Sequence, residues 1–547
     1  MGLHNCWLAC YLLLLFGSDL VHSDNYIYII SIKDLPREQR LAASLVVGLL
    51  NRAAQQPLAI GEINPTDAAW IKSAQDEEPT LQNSTFLQVA SLEELGVTAR
   101  RRGAVLSRVL YSSDEPWSFA NVATLAGIHM SIPVPTNSST GGPVTLPQGF
   151  SLFEDLPVAF DARGQWEDAP GATAWGIANL HPMCNETESL VVLQDPGLLH
   201  AGYLADLVAA RQLFAFHMPD MCVANSTSAA LFDTIAEAAR TLGSLLSVMG
   251  YFPQQEVVAL CSKHHTEISL VSDYCSSLSF WSRMPSVTGP LVQSPPLAAG
   301  PYSRLRTYIA IIASDGDNMQ MAFNVKRQRM EERLSECQVI GAACPPLAWT
   351  ISNRLAEFAP FVLKWYFRQG ATTGKDSFLM GPSGFGFMHP SIIAPDDPLI
   401  DVMINRTATA AAMLSSSAYV HWDNYDNEPA MVSYLSRLAS SNGPIEAVFS
   451  PITPYVPPKI GSLETFRESY RWFGTETVAS VAQRLGDFPL GSLGYMYKLP
   501  DVTLDQVEAL AKALPPHVQL VGYRELAELA KARRATLLSP SGLPSQR

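Results

Sequence analysis

Two aspartates one residue apart, Asp315 and Asp317, end an uncharged run, Tyr308-Ile309-Ala310-Ile311-Ile312-Ala313, in the string Ser314-Asp315-Gly316-Asp317-Asn318. Carboxylates this close repel each other when both are ionised, so one keeps its proton to higher pH. Such a pair suits acid and base catalysis or a cation site. Gly316 has no Cβ and lets the backbone turn tightly enough for both acids to face one cavity. The run before them reads as a parallel strand covered on both faces, and ligands of α/β folds sit at the carboxyl ends of such strands. The plainer alternative is a turn closed by Asx hydrogen bonds.

Other reactive residue types gather after later strand-like runs. Leu347 to Ser352 leads into Asn353 and Arg354, and Ser377 to Met380 into Gly381-Pro382-Ser383-Gly384-Phe385-Gly386-Phe387-Met388-His389-Pro390. That density of glycine brings amides and rings close to a ligand, or simply makes a tight connection. Ala418 to Trp422 runs into His421-Trp422-Asp423-Asn424-Tyr425-Asp426-Asn427-Glu428. Rings that stack on pyranose faces beside acids that move protons make a sugar site, while the alternative is a solvated polar loop. The Gly-Lys-Ser/Thr ending of a phosphate loop, the HExxH and CxxC metal spacings and the Gly-x-Ser-x-Gly elbow are all missing. His264-His265 lie side by side in a polar stretch and read as surface.

These residues need a scaffold. Strand candidates in the second half are Tyr308 to Ala313, Leu347 to Ser352, Ser377 to Met380, Ala418 to Trp422, Ile445 to Phe449, Ser492 to Met496 and Val518 to Val521, with helical stretches between most of them. One helix opens at Pro360, which a first turn tolerates, and stops at Gly370. That alternation predicts a (β/α) barrel or an incomplete one, with an open doubly wound sheet as the alternative. The first half alternates too: Tyr26 to Ile30, a helix striped by Leu41, Leu45 and Leu49, Val109 to Tyr111, a helix from Ala120 to Ile128, Leu190 to Leu193, a helical stretch from Ala201 to Ala210, Leu213 to Phe216, and a helical stretch from Leu231 to Leu246. This favours an α/β layer domain. Leu125-Ala126-Gly127-Ile128 echoes Val47-Gly48-Leu49, a weak internal repeat.

A chain of 547 residues exceeds one usual core. The reading divides it into a secretory signal (1–23), an N-terminal α/β domain (24–284), a proline-rich linker (285–304), a barrel-like catalytic domain (305–535) and a polar tail (536–547). Trp7 to Gly17 is too short to span a bilayer, and Val21-His22-Ser23 suits cleavage before Asp24. A net charge of -14 without a basic tract argues against nucleic acid or an anionic membrane as partner. No later segment reads as a membrane span. Glycosylation sequons at Asn83, Asn137, Asn185, Asn225 and Asn405 fit export, as do the cysteines left after the signal: Cys184, Cys222, Cys261, Cys275, Cys337 and Cys344. In an oxidising compartment they should pair, and the short loop from Cys337 to Cys344 is the best single pair.

The segment Gly384-Phe385-Gly386-Phe387-Met388-His389-Pro390 resembles the signature of the GxGYxYP family, a group classed with glycoside hydrolases that has an N-terminal domain and a barrel-like C-terminal domain. Phe387 and His389 stand where that signature has tyrosines. Ser314 to Asn318, Trp349-Thr350-Ile351-Ser352, Gly381 to Gly384, Val47 to Arg52 and Val122 to Gly127 resemble it as well. The resemblance implies a glycoside hydrolase, and with the export signals the first expectation is a secreted, glycosylated carbohydrate-active hydrolase, with no cofactor expected. Asp315 or Asp317 would serve as acid or base with Asp423 across the mouth, and Asn318, Trp349, Asn353, Ser383, Phe387, His389 and Trp422 would bind sugar. Two other readings are a glycan-binding protein that has lost turnover, and a metal-assisted deacetylase with Asp315, Asp317 and His389 as ligands.

Overall fold

The computed structural model describes residues 25–136, 146–185, 189–218, 220–250, 258–259, 261–262, 268–297, 300–423, 428–451 and 457–538. The expected signal segment, Asn137, His264-His265, Asn424 to Asn427 and the tail beyond Leu538 lie outside them. The N-terminal region holds three parallel sheets, and in each the strand that comes first in sequence runs in the middle. β1 (Tyr26–Ser31) lies between β2 (Ala59–Glu62) and β3 (Thr85–Val89), and β4 (Ser107–Ser112) between β5 (Ser131–Thr136) and β6 (Val158–Asp161). β7 (Leu190–Leu193) lies between β8 (Phe214–Phe216) and β9 (Ser247–Gly250), with β10 (Ile268–Val271) outside β9.

Helices Arg37–Ala53, Phe119–His129 and Ala205–Arg211 follow the three central strands and pack together. A Cβ at Gly48 would sit 2.1 Å from the Asp206 carbonyl oxygen, and one at Gly127 would sit 3.1 Å from that of Val208. The echoed glycines therefore let two helices press on the backbone of the third. The repeat has three copies where the sequence suggests two, because the third helix is the surface the glycines meet and carries none itself.

The C-terminal region is a closed barrel of seven parallel strands: β11 (Thr307–Ala313), β12 (Leu347–Ile351), β13 (Asp376–Met380), β14 (Ala418–Val420), β15 (Ala447–Ser450), β17 (Leu463–Trp472) and β18 (Leu493–Lys498), with β18 returning to β11. A two-residue strand, β16 (Lys459–Ile460), pairs antiparallel with β17. The expected strand at Val518 to Val521, β19, is outside the ring and pairs with the start of β11. Its place is taken by β17, whose Glu464, Arg467, Glu468 and Arg471 break the apolar pattern that marks the other strands.

β13 and β14 share a single register pair, Met380 with Tyr419. Below it, the amide of Gln293 bridges the gap: Oε1 accepts from the Phe378 N–H at 2.8 Å, and Nε2 donates to the carbonyls of Phe378 and Leu414 at 2.8 and 2.9 Å. The proline-rich segment expected to be a spacer is thus stitched into the barrel wall. At the other end of the region, helix Tyr523–Leu538 carries structure past the expected start of the polar tail. Cys337 and Cys344 form a disulfide, and so do Cys222 and Cys261. Two of the expected pairs are thus formed, and Cys275 is buried.

The two regions meet across aromatic side chains. Trp70 packs its ring 5.0 Å from that of Trp365 and donates its indole N–H to the Phe323 carbonyl at 2.7 Å, while Arg327 lies 4.1 Å over it. Tyr366 donates its hydroxyl to the neighbouring Ala322 carbonyl at 2.5 Å. Helix Met319–Phe323, which directly follows the acidic turn, is therefore fixed from both regions. The turn itself depends on close backbone contact. A Cβ at Gly316 would lie 2.4 Å from Thr350 Cβ and 2.5 Å from the Thr350 carbonyl carbon, and one at Gly381 would lie 2.3 Å from the Gly316 carbonyl carbon. Replacing Gly316 with Ala must push these segments apart, at a cost of about 1–3 kcal/mol. Urea denaturation should show the lowered midpoint, and a midpoint equal to wild type would contradict this packing.

Candidate functional site

Alternation along the strands sorts residues between two environments. Tyr308, Ala310 and Ile312 of β11, Ala418 and Val420 of β14, Phe449 of β15, and Tyr495 and Tyr497 of β18 belong to one cluster inside the barrel. Ile309, Ile311, Trp349 and Tyr419 belong to the layer between the strands and the surrounding helices.

At the carboxyl end of β11, Asp315 takes the left-handed conformation at φ 61° and accepts a hydrogen bond from Ser314 Oγ. Burial, and then the charge of Asp315, push the Asp317 carboxyl up to about 7. Lys326 is buried beneath the turn and donates Nζ to the carbonyls of Asp315 at 2.7 Å and Thr350 at 2.8 Å. Burial lowers its ammonium to about 8, against the pull of both aspartates. Lys498, also buried, donates to the Val502 carbonyl at 2.8 Å, and burial brings it to about 7. The Tyr497 phenol is held protonated by burial and by the charges of Asp315 and Asp317. Its ring is 6.1 Å from that of Trp422, and the Arg471 guanidinium lies 5.5 Å from the Trp422 ring. Arg471 is held by Glu468 at 2.8 Å and by the Pro451 carbonyl at 2.8 Å.

The arrangement joins Asp315, Asp317 and, through Tyr497, Trp422. It includes Lys326, Arg471, Tyr497 and Lys498, which the sequence reading missed. Tyr497 and Lys498 could have been found by continuing the candidate strand Ser492 to Met496 to its end. Arg471 lies in the overlooked strand, and Lys326 is one of several charges on a helix with nothing to single it out.

The remaining expected site residues make contacts of their own. Asn318 caps helix Met319–Phe323 by accepting from the Met321 N–H at 3.2 Å. Asn353 Nδ2 donates to the Gly384 carbonyl at 2.7 Å, and Ser383 Oγ donates to the Trp422 carbonyl at 2.7 Å, so both brace the loops around the mouth. Trp349 faces the helices and donates its indole N–H at 2.7 Å to Asp376, which is paired with the buried Arg333. Phe387, 7% exposed, bridges through its backbone to Ser269 of β10, which ties the signature to the N-terminal region.

Asp423 lies two residues beyond His421 and shares its environment. It is 1% exposed, accepts from the Ser391 hydroxyl at 2.6 Å and the Ser391 N–H at 3.0 Å, and lies 3.0 Å from His421 Nε2. His421 Nδ1 is in turn 3.0 Å from the Tyr419 hydroxyl. His389, 0% exposed, belongs to this buried network: burial lowers its imidazole to about 4, against the pull of Asp423. Asp423 and His389 thus share one buried network beside Trp422. Among the described residues no group of three or more His, Cys, Asp or Glu could hold a metal ion, which corrects the reading of Asp315, Asp317 and His389 as ligands. Of the sequon asparagines, Asn83, Asn225 and Asn405 are exposed and Asn185 is half-buried.

A crystal structure described as a putative hydrolase from Bacteroides thetaiotaomicron VPI-5482 matches this fold with a TM-score of 0.72 at 18% identity, over 92% of this chain and 94% of that one. At that identity the likeness is one of fold. No curated protein matches the chain. Residues 306–451, which contain the acidic turn, the glycine-rich loop and Asp423, match the family model of the GxGYxYP putative glycoside hydrolase C-terminal domain.

Proposed function

We propose that the protein is a secreted glycoside hydrolase, with Asp317 as general acid and Asp315 as the second carboxylate. The observation that carries this reading is an acid pair at the carboxyl mouth of a closed parallel barrel, both acids half-buried and both within electrostatic reach of Tyr497. A glycosidic oxygen leaves as a poor anion unless it is protonated, so the acid must still hold its proton near neutral pH. Asp317 meets that need. Asp315, held next to it by the turn, is placed to stabilise an oxocarbenium-like transition state or to attack it. Lys326 positions the turn from beneath by gripping the Asp315 carbonyl. Trp422, half-buried beside the buried Tyr497, offers a ring face to a pyranose.

The family match over this region and the fold shared with a described hydrolase support the same reading. The altered signature positions, Phe387 and His389, are buried, so their departure from tyrosine leaves the mouth's acids in place. That favours a catalyst over a protein that only binds glycans. Export is supported by the two disulfides and by exposed sequon asparagines.

Asp317→Asn should lower the rate of reducing-end release by roughly 10²–10⁴-fold while glycan affinity remains; wild-type turnover in this variant would end the proposal. In wild type the rate should fall as pH rises through about 7, where Asp317 gives up its proton. The same group sets a stability trend. The unfolded carboxyl titrates near 3.8 and the folded one near 7, so between these values the unfolded chain releases a proton that the folded protein keeps, and stability is lost as pH rises. Thermal melts of Asp317→Asn should therefore show little change against wild type below pH 3.8 and a gain above pH 7; an equal offset at both ends would contradict the assigned proton.

A further inference from the structure

The carboxyl ends of β7 to β10 bring a second set of residues close to the acidic turn. Tyr274, three residues after β10, keeps 42% of its surface exposed and meets the half-buried Tyr203 edge to face, with centroids 5.3 Å apart and planes at 75°. Two polar contacts hold this pair. Asn64 Nδ2 donates to the Tyr274 carbonyl at 3.0 Å, and the Tyr203 hydroxyl donates to Asn64 Oδ1 at 3.4 Å. The Tyr274 N–H donates to Gln320 Oε1 at 2.8 Å. Gln320 is three residues past Asp317, in the first turn of helix Met319–Phe323. The rings are therefore tied directly to the element that carries the general acid.

Next to Tyr274 in the chain, Asp273 is 2% exposed, and its Oδ1 has no hydrogen-bond partner among the described residues. A buried carboxylate oxygen without a donor is costly unless something else supplies one, and the hydroxyls of a sugar are such donors. Its charge reaches the Tyr203 phenol. Amphipathic rings with a polar tip beside a donor-seeking carboxylate match a pyranose, which has apolar faces and a rim of hydroxyls.

We propose that Tyr203, Tyr274 and Asp273 form a second sugar subsite, which holds a non-reacting residue of an oligosaccharide whose scissile bond lies over Asp317. This rests on the hydrolytic reading of the mouth and assigns that site a substrate class: chains of several sugars, bound by both regions of the protein at once. Binding energy from the distant residue then contributes to positioning the reacting one.

The test uses the full chain with maltohexaose, cellohexaose, mannohexaose, xylohexaose and chitohexaose, each beside the p-nitrophenyl glycoside of its own monosaccharide. Wild type, Tyr274→Ala, Tyr274→Phe and Asp317→Asn are compared by product release and by calorimetric titration. For the hexasaccharide that wild type cleaves, Tyr274→Ala should raise the ratio of hexasaccharide KM to aryl-glycoside KM about tenfold. Tyr274→Phe, which keeps the ring, should restore it. An unchanged ratio in Tyr274→Ala overturns the subsite and leaves the acid pair untouched, whereas full activity in Asp317→Asn overturns the acid. If wild type binds a hexasaccharide without cleaving it, a tenfold loss of that affinity in Tyr274→Ala upholds the subsite while the hydrolytic reading falls. A wild type that neither binds nor cleaves any of the five overturns both.

Discussion

Backbone packed against backbone at Gly316 and Gly381 is the constraint on which the site depends. With no side chain at either position, the turn after β11, the end of β12 and the start of the glycine-rich loop come closer than van der Waals contact with any Cβ would allow. The turn is then forced down onto Lys326, whose ammonium takes the Asp315 and Thr350 carbonyls, and Asp315 itself is driven into the left-handed region. Two half-buried carboxylates are thereby held together. The perturbed proton on Asp317 follows from that crowding and needs no further device.

The period of two along a strand separates structural from functional residues. Trp422 lies toward the barrel interior near Tyr497, while its neighbours His421 and Asp423 turn outward into a buried network with Tyr419, Ser391 and His389. The outer network braces the loops through Ser391 and Asp423, while Trp422 packs toward Tyr497 on the inner face. Trp349, one residue before the inward-facing Thr350 in sequence, is likewise turned to the helices and committed to Asp376. Contacts from Trp70 and Tyr366 onto the helix after the acidic turn couple this face to the N-terminal region, so the mouth is bordered by both parts of the chain.

Much of this was legible in the residues alone. Uncharged runs such as Tyr308 to Ala313 announce buried parallel strands, and the position of Asp315 and Asp317 directly after one of them marks a ligand-facing end. Strand β17 was not legible, because its charged residues pair across the barrel edge and within the strand, as Glu468 does with Arg471, rather than lying in an apolar core. The facing of Asp423 was not legible either: it depends on the phase of a three-residue strand, which a run of His, Trp, Asp and Asn does not set. The roles of Asn318 and Asn353 as braces follow from loop geometry that only tertiary contacts determine. Gln293 was hidden for a similar reason, since nothing in a proline-rich segment marks one amide as the filler of a gap between β13 and β14.

The central claim is that the Asp317 carboxyl keeps its proton to about 7, first because of burial and then because Asp315 lies beside it. Carbon-13 NMR of protein labelled at the aspartate carboxyls reads this directly across a pH titration. The account predicts one resonance that titrates near 7, disappears in Asp317→Asn and moves to lower pH in Asp315→Asn. Aspartates that all titrate in the ordinary carboxylate range, or a high-titrating resonance indifferent to both substitutions, would contradict it.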